Sequence, residues 1–363
     1  MNKELAYWVA VSAIPGVGTA TFNKLLKTFK SLKKFWEAPD EKIRKLKIDT
    51  KTKEAILTAR NKVSPRLYLE AVYERGIKVT SLPDRDYPAN LRQILDAPPV
   101  LYFKGTLKAE DDLAIGVVGT RYPTVYGKQV TESLVSDLVG HGLTIVSGLA
   151  RGVDSIAHKA ALSAGGRTIA VLGNGVDLIY PPENKNLAER IIQNGALVSE
   201  FPLGFPSVPA NFPARNRIIS GLSLGILVTE AAIDSGSLIT AGCAAEQGRE
   251  VFAVPGAITN KMSGGTTKLI KEGVNVAAEV GDILEAIDLK GTKGSKGPNG
   301  AKVDVAALSA SDRKIFELIE TENMHLDLIS RKSGLTVEKV TAGLTMLELK
   351  GVVKNYGSGI WGT

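Results

Sequence analysis

Six short apolar runs beyond residue 112 set the terms for the fold. "LAIGVVG" (113–119), "LTIVSG" (143–148), "RTIAVLG" (167–173), "ALVSEF" (196–201), "LGILVTE" (224–230) and "EVFAVPG" (250–256) are rich in branched side chains, and most end at Gly, Glu or Pro. They are apolar throughout rather than alternating, so both faces of each strand need cover. Helical stretches separate most of them. Strands alternating with helices imply a parallel sheet between helical layers. Ligand crevices in such sheets lie beyond the carboxyl ends of the strands, so the residues that follow each run are the first place to look for function.

The flanks read differently. Residues 1–75 carry spaced apolar residues in helical register, as in "TATFNKLLKTF", "TKEAILTARNKV" and "RLYLEAVYERG", with Asp49–Thr50 and Ser64–Pro65 as helix starts. Residues 76–289 hold a lead-in of short strands and proline turns and then the sheet. "KGTKGSKGPNGAK" (290–302) has the composition of a flexible linker. Residues 303–363 suggest three helices and a small hairpin, the order of a winged helix. The expected fold class is thus α/β: an extended Rossmann-like parallel sheet core with an N-terminal all-α domain and a C-terminal winged-helix domain.

Charge is concentrated at one end. Residues 1–75 hold 16 Lys/Arg against 8 Asp/Glu, while the remaining chain holds 29 against 30. Such a concentrated positive field attracts nucleic acid or another polyanion. A solvated lysine-rich helical surface is the other reading. Residues 301–363 carry 8 basic and 8 acidic residues, which argues against that domain acting as a transcription factor. The single cysteine, Cys243, excludes an internal disulfide, and three histidines with one cysteine argue against a His/Cys metal site. The N-terminal apolar stretch is too short for a membrane span and lacks the layout of a signal peptide. A cytoplasmic protein without membrane contact or cofactor is expected.

Five constellations could carry chemistry. "IPGVGTATFNKLL" (14–26) resembles half of a helix-hairpin-helix, a backbone-phosphate binder, or else a plain glycine-containing connection. "VVGTRYPTVYGKQ" (117–129) puts Gly119, Thr120 and Arg121 at a strand exit, with Thr124 as a helix cap. It lacks GxGxxG, and the next strand ends in Ser147–Gly148 rather than an acid, which counts against NAD. "SGLARGVDSIAHKAAL" (147–162) offers an anion-binding loop with Gly148 and Arg151, then Asp154 and His158 on one helical face. That pair suggests acid/base work or a structural hydrogen bond, and no nucleophile accompanies it. "VLGNGVDLIYPPENKNL" (171–187) brings Lys185 to a helix start. Finally, "FPARNRIISG" presents Arg215, Asn216 and Arg217 before a helix-like run, with Phe212 as a stacking surface. "DSGSLITAG" adds Ser235, Gly236 and Ser237 as donors, and Glu230 ends the preceding strand.

These motifs, in this order, resemble the DNA-processing protein A (DprA, or Smf) family. "GTR", "SGLARGVDSIAH", "NGVDLIYPPEN", "FPARNRIISGLS" and "SGSLITA" carry the resemblance, and "YPANLRQILDAPPVLYFKG" looks like the family's lead-in. The resemblance implies an extended Rossmann core, preceded by a helical domain like a sterile alpha motif (SAM) and followed by a winged helix. It implies a homodimer that binds and protects single-stranded DNA and helps load the RecA recombinase during natural transformation, without enzymatic turnover. Arg121, Lys185, Arg215 and Arg217 would then meet phosphates, since arginine forks engage them bidentately. The alternative is a nucleotide-binding enzyme of the lysine-decarboxylase-like phosphoribohydrolase group, with Glu230 as its acid. "SGSLITAG" replaces that group's "PGGxGT" loop and counts against it. Residues 266–284 are a candidate dimer edge, or ordinary core.

Overall fold

The computed structural model describes residues 4–289, 308–319, 322–349, 353–357 and 359–362. The linker expected at 290–302 lies outside the described residues. The chain divides into two compact units, Met1–Ser295 and Lys296–Thr363.

The first unit is built on nine strands: β1 (Lys78–Ser81), β2 (Val100–Gly105), β3 (Ala114–Val118), β4 (Thr144–Ser147), β5 (Thr168–Val171), β6 (Gly195–Ser199), β7 (Gly225–Val228), β8 (Glu250–Ala253) and β9 (Asn275–Val276). They lie in the order β1-β2-β6-β5-β4-β3-β7-β8-β9. From β6 to β9 every neighbouring pair is parallel, while β1–β2 and β2–β6 are antiparallel. All six runs read from the sequence are strands, β3 to β8, and the lead-in supplies β1 and β2.

Successive side chains point to opposite faces, and both faces are covered. Val118, Ile169, Val171 and Val228 pack on one side with Ile218, Ile219 and Leu222 of helix Asn211–Leu222 and Ala241 and Ala244 of helix Ser237–Glu246. Ile115, Val117, Ile145 and Leu227 pack on the other with Leu134, Val135 and Leu138 of helix Val125–Gly140 and Val153, Ala157 and Ala161 of helix Val153–Ser163.

The N-terminal helices complete that second face over β2, β5 and β6. Trp8, Val9, Phe22, Leu25, Phe35 and Ile56 form one core with Tyr102, Ala170 and Leu197 of the sheet. A hydrogen bond of 2.9 Å between Ser12 Oγ and the Tyr102 hydroxyl adds to that contact. Both helix starts read from the sequence are present. Asp49 accepts from the Thr52 amide at 2.8 Å, and Pro65 opens the next helix.

In the second unit, helices Ala310–Ile319, Leu326–Ser333 and Val337–Leu349 enclose Ile315, Ile329, Val340, Leu344 and Trp361. Strands β10 (Met324–His325), β11 (Lys354–Gly357) and β12 (Ile360–Gly362) pair antiparallel in the order β10-β12-β11. This is a winged helix. Among the described residues, no helix is long and apolar enough to cross a membrane.

Candidate nucleic-acid interface

The chain leaves β3 for β4, β5 and β6 on one side and returns to β7 on the other. The topological switch point is therefore between β3 and β7, where doubly wound sheets bind ligands. Here that crevice is closed by the protein itself. The Thr120 amide donates to the Glu230 carbonyl at 2.7 Å. The Glu230 carboxylate accepts from the amide and hydroxyl of Thr124, both at 2.7 Å, and from Asn260 Nδ2 at 3.2 Å. Thr124 Oγ1 in turn accepts from the Gly127 amide and caps helix Val125–Gly140. Glu230 is 1% exposed, so it is a buried acceptor that joins two loops, with no access to a substrate.

The open surface lies to the β4 and β5 side of this closure. Gly152 adopts φ +73, and a side-chain carbon there would fall 2.3 Å from the Thr120 carbonyl. Only glycine lets the loop after β4 lie against Gly119–Arg121. Asn184 Nδ2 donates to the Leu149 carbonyl at 2.8 Å and to Ser155 Oγ at 2.9 Å. This ties the start of helix Lys185–Asn194 to the same loop. Arg121, Arg151 and Lys185 are thereby exposed on adjoining loops. Arg151 pairs with Glu183, whereas Arg121 and Lys185 have no carboxylate partner among the described residues.

An aromatic floor accompanies the cations. The Arg121 guanidinium lies 6.0 Å from the Phe212 ring centre, and Tyr180 meets Phe212 at 5.9 Å. Tyr122, beside Arg121, is 76% exposed. The sequence reading did not single out Tyr122 or Tyr180, although "TRYP" follows the exit of β3 and "IYPP" leads into the Lys185 helix. Exposed rings beside unpaired cations suit bases stacked along a phosphate backbone.

The "RNR" triplet does not act as one group. It lies inside helix Asn211–Leu222, not before a helix, and successive helical residues are about 100° apart. Arg215 is 4% exposed and points under the sheet end, where Nη1 donates to the carbonyls of Gly148, at 2.7 Å, and Val171. A side-chain carbon at Gly148 would fall 2.3 Å from that guanidinium. Asn216 turns to the loop after β7 and donates to the Gly236 carbonyl at 3.4 Å. Arg217 turns away, to Glu200 at 2.5 Å and Asp96 at 3.1 Å. Ser235 and Ser237 share a hydroxyl contact of 2.8 Å beyond β7, on the far side of the closed crevice. The structure thus brings together Gly119, Thr120, Arg121, Gly148, Arg151, Lys185 and Phe212. Arg215 supports them from below, and Arg217 is elsewhere.

Beneath the rim lies a buried charged centre. Asp154 accepts from the amides of Gly148, at 3.1 Å, and Ala150, at 3.3 Å, fixing the loop after β4. Burial raises its carboxyl, while Arg215 and these amides pull it back. Burial also lowers Arg215, to about 10, so it stays charged at neutral pH. His158 bonds Thr168 at 2.7 Å, and burial first and Arg215 second hold it down to about 3. The His–Asp spacing therefore has a structural outcome. No group of three His, Cys, Asp or Glu among the described residues is placed to hold a metal.

The fold is a doubly wound α/β sheet whose strand exits carry cations and aromatic rings. Residues 78–288 match the family model for DNA recombination-mediator protein A, and residues 300–357 match that of the DprA winged helix domain. The chain belongs to the DNA recombination-mediator protein A family, whose members mediate DNA processing and are not catalysts. It is 36% identical to Protein Smf of Synechocystis, over 97% of both chains. It is 42% identical to the DNA processing protein DprA of Bacillus subtilis, over 70% of this chain and 89% of that one. Among solved structures, DprA of Streptococcus pneumoniae superposes with a TM-score of 0.68 at 33% identity, over 78% of this chain and 98% of that one. DNA processing protein A of Helicobacter pylori, studied for its single-stranded DNA binding mode, gives 0.53 at 31% identity, over 59% and 98%.

Proposed function

We propose that this protein captures single-stranded DNA at the exits of β3, β4 and β5 and presents it to the RecA recombinase in natural transformation and recombination. It acts in the cytoplasm as a homodimer. One observation carries the reading: Arg121 is exposed, has no carboxylate partner among the described residues, and sits over Phe212 beside Tyr180. Arg121 and Lys185 hold phosphates, and Phe212, Tyr180 and Tyr122 offer stacking surfaces that accept any base. The likeness to the H. pylori protein supports the choice of single strands. For dimerisation we favour the β9 edge, where Asn275 and Val276 are exposed at the end of the sheet. An unpaired sheet edge invites a second chain.

The test is binding of labelled single- and double-stranded oligonucleotides across a salt series, with wild type, Arg121→Ala and Lys185→Ala. Each variant should bind single strands more weakly, with the slope of log affinity against log salt shallower by about 0.7 per lost phosphate contact. Unchanged affinity and slope in both variants would remove the rim from the site.

A further inference from the structure

Most acids of the N-terminal helices are engaged. Glu4 accepts from Ser31 Oγ and the Leu32 amide, and Asp49 caps a helix. Glu37, Asp40, Glu54 and Glu70 pair with Lys33, Arg60, Arg44 and Arg66. Lys24, Lys27, Lys47 and Lys51 are exposed and have no carboxylate partner among the described residues.

Local packing gathers these lysines. The Lys24 ammonium donates to the Lys47 carbonyl, which pins helix Thr19–Phe29 against the segment after buried Leu46. Lys27 is one turn further along that helix. The Gly16 turn lies on Thr52, whose hydroxyl oxygen would be 2.5 Å from a side-chain carbon at position 16. The first turn of helix Thr50–Lys62, which carries Lys51, is thereby beside the turn that leads into helix Thr19–Phe29. Like charges held together repel, and a row of phosphates relieves that repulsion while releasing its own counterions.

This face also has a route to the rim. Ile14 and Pro15, next to the Gly16 turn, share a cavity of about 360 Å³ with Pro202, Leu203, Phe205 and Pro206. The loop that holds those residues runs from β6 to Phe212, the ring beneath Arg121.

We propose that Lys24, Lys27, Lys47 and Lys51 form a second contact for the DNA backbone, which takes up the strand as it leaves the Arg121–Phe212 rim. The second half of this statement rests on the single-strand reading given above. The neighbouring apolar residues Phe22 and Leu25 are buried, so the face offers point charges without the apolar centre that a protein partner would fill. Lysine suits contact with phosphate irrespective of sequence.

The experiment uses the full chain and oligo(dT) of increasing length across a salt series. It compares wild type, Arg121→Ala and the triple variant Lys27→Gln/Lys47→Gln/Lys51→Gln. All three replaced side chains are exposed, and thermal melting checks that the fold is kept. The triple variant should bind short oligo(dT) as wild type does and lose affinity for long strands. Its long-strand salt slope should fall by about 2, from three contacts at about 0.7 each. Arg121→Ala should weaken binding at every length. Unchanged long-strand affinity and slope in the triple variant would overturn the lysine face and leave the rim standing. Weakening by the triple variant with none by Arg121→Ala would instead overturn the rim and keep the lysine contact. Displacement of long oligo(dT) by polyglutamate as readily as by unlabelled DNA would assign the face to an acidic protein and overturn the proposal.

Discussion

Arg121 and Phe212, 91 positions apart in the chain, meet with the guanidinium carbon 6.0 Å from the ring centre. Arg215 lies at the same distance from that ring. One ring therefore neighbours an exposed cation and a buried one, and of the two only Arg121 is open to a ligand. Phe212→Ala should cost about 1–3 kcal/mol of single-strand affinity by loss of stacking, while the salt slope stays near wild type because no charge is removed. Arg121→Lys should keep most of the slope and lose part of the affinity, since lysine retains the charge without the planar face. Fluorescence-anisotropy titrations at three or more salt concentrations separate the two effects. A Phe212→Ala slope as shallow as that of Arg121→Ala would mean that the ring acts only by holding the arginine.

Arg215 has a different task. Its guanidinium joins the ends of β4 and β5 through the carbonyls of Gly148 and Val171 and lies in the field of Asp154. Removing it leaves a buried carboxyl without its counter-charge, so Arg215→Ala should destabilise the fold by about 3–5 kcal/mol. Urea denaturation reads this directly. Full stability together with lost DNA binding would return Arg215 to the surface as a phosphate clamp.

Arg217 is engaged with Glu200 and Asp96. Arg217→Ala should lower stability by about 3 kcal/mol and leave the single-strand affinity of the folded protein near wild type. Burial already raises Glu200, with Arg217 opposing it. Without Arg217 the folded variant should hold a proton at Glu200 more tightly than the unfolded chain does. Its deficit should then shrink as pH falls and widen as pH rises. A deficit that does not vary with pH would show that Glu200 is solvated in the variant.

Glu230 closes the switch point between the loops after β3 and β7. Glu230→Ala should leave the Thr124 amide and Asn260 without their acceptor, at a cost of about 1–3 kcal/mol, and lower the melting temperature. Wild type incubated with nucleoside monophosphates should release no free base. Release that disappears in Glu230→Ala would reinstate the phosphoribohydrolase reading.

The strands were legible because burial on both faces leaves continuous apolar runs, and all six were found. Helix boundaries with a local signal were legible too: Asp49 and Thr124 cap their helices through the side chain, and Pro65 opens the helix after Ser64. The direction of "RNR" was not. The sequence places the triplet before a helix-like run, yet the helix already starts at Asn211, and Pro213 stands in its first turn, where it needs no amide partner. Once the triplet is helical, its three side chains diverge. Whether an arginine faces solvent or a strand-end carbonyl depends on contacts with Gly148 and Val171, more than 40 residues away. Tyr122 and Tyr180 were missed because each precedes a proline in a turn, where composition signals only a loop.

His158 sets a last expectation, on pH. Thr168 Oγ1 donates its proton to the Ile145 carbonyl at 2.8 Å, so its remaining contact, with His158 Nδ1 at 2.7 Å, must be accepted from the ring. The proton of the neutral imidazole is therefore on Nδ1. Nε2 is a buried nitrogen with no hydrogen-bond partner among the described residues. A second proton would bring a charge into the buried core near Arg215, which is why the group is held down to about 3 from an ordinary 6.5. A folded-state value below the unfolded one gives stability that is complete above about pH 6.5 and is lost as pH falls towards about 3. Each unit in that window costs about 1.4 kcal/mol. The unfolding free energy of His158→Gln should therefore gain on that of wild type by about 2 kcal/mol between pH 7 and pH 5, whatever its offset at pH 7. Urea denaturation of both proteins at pH 5, 6, 7 and 8 gives that difference. A difference that stays flat with pH would mean that the imidazole accepts its second proton within the fold.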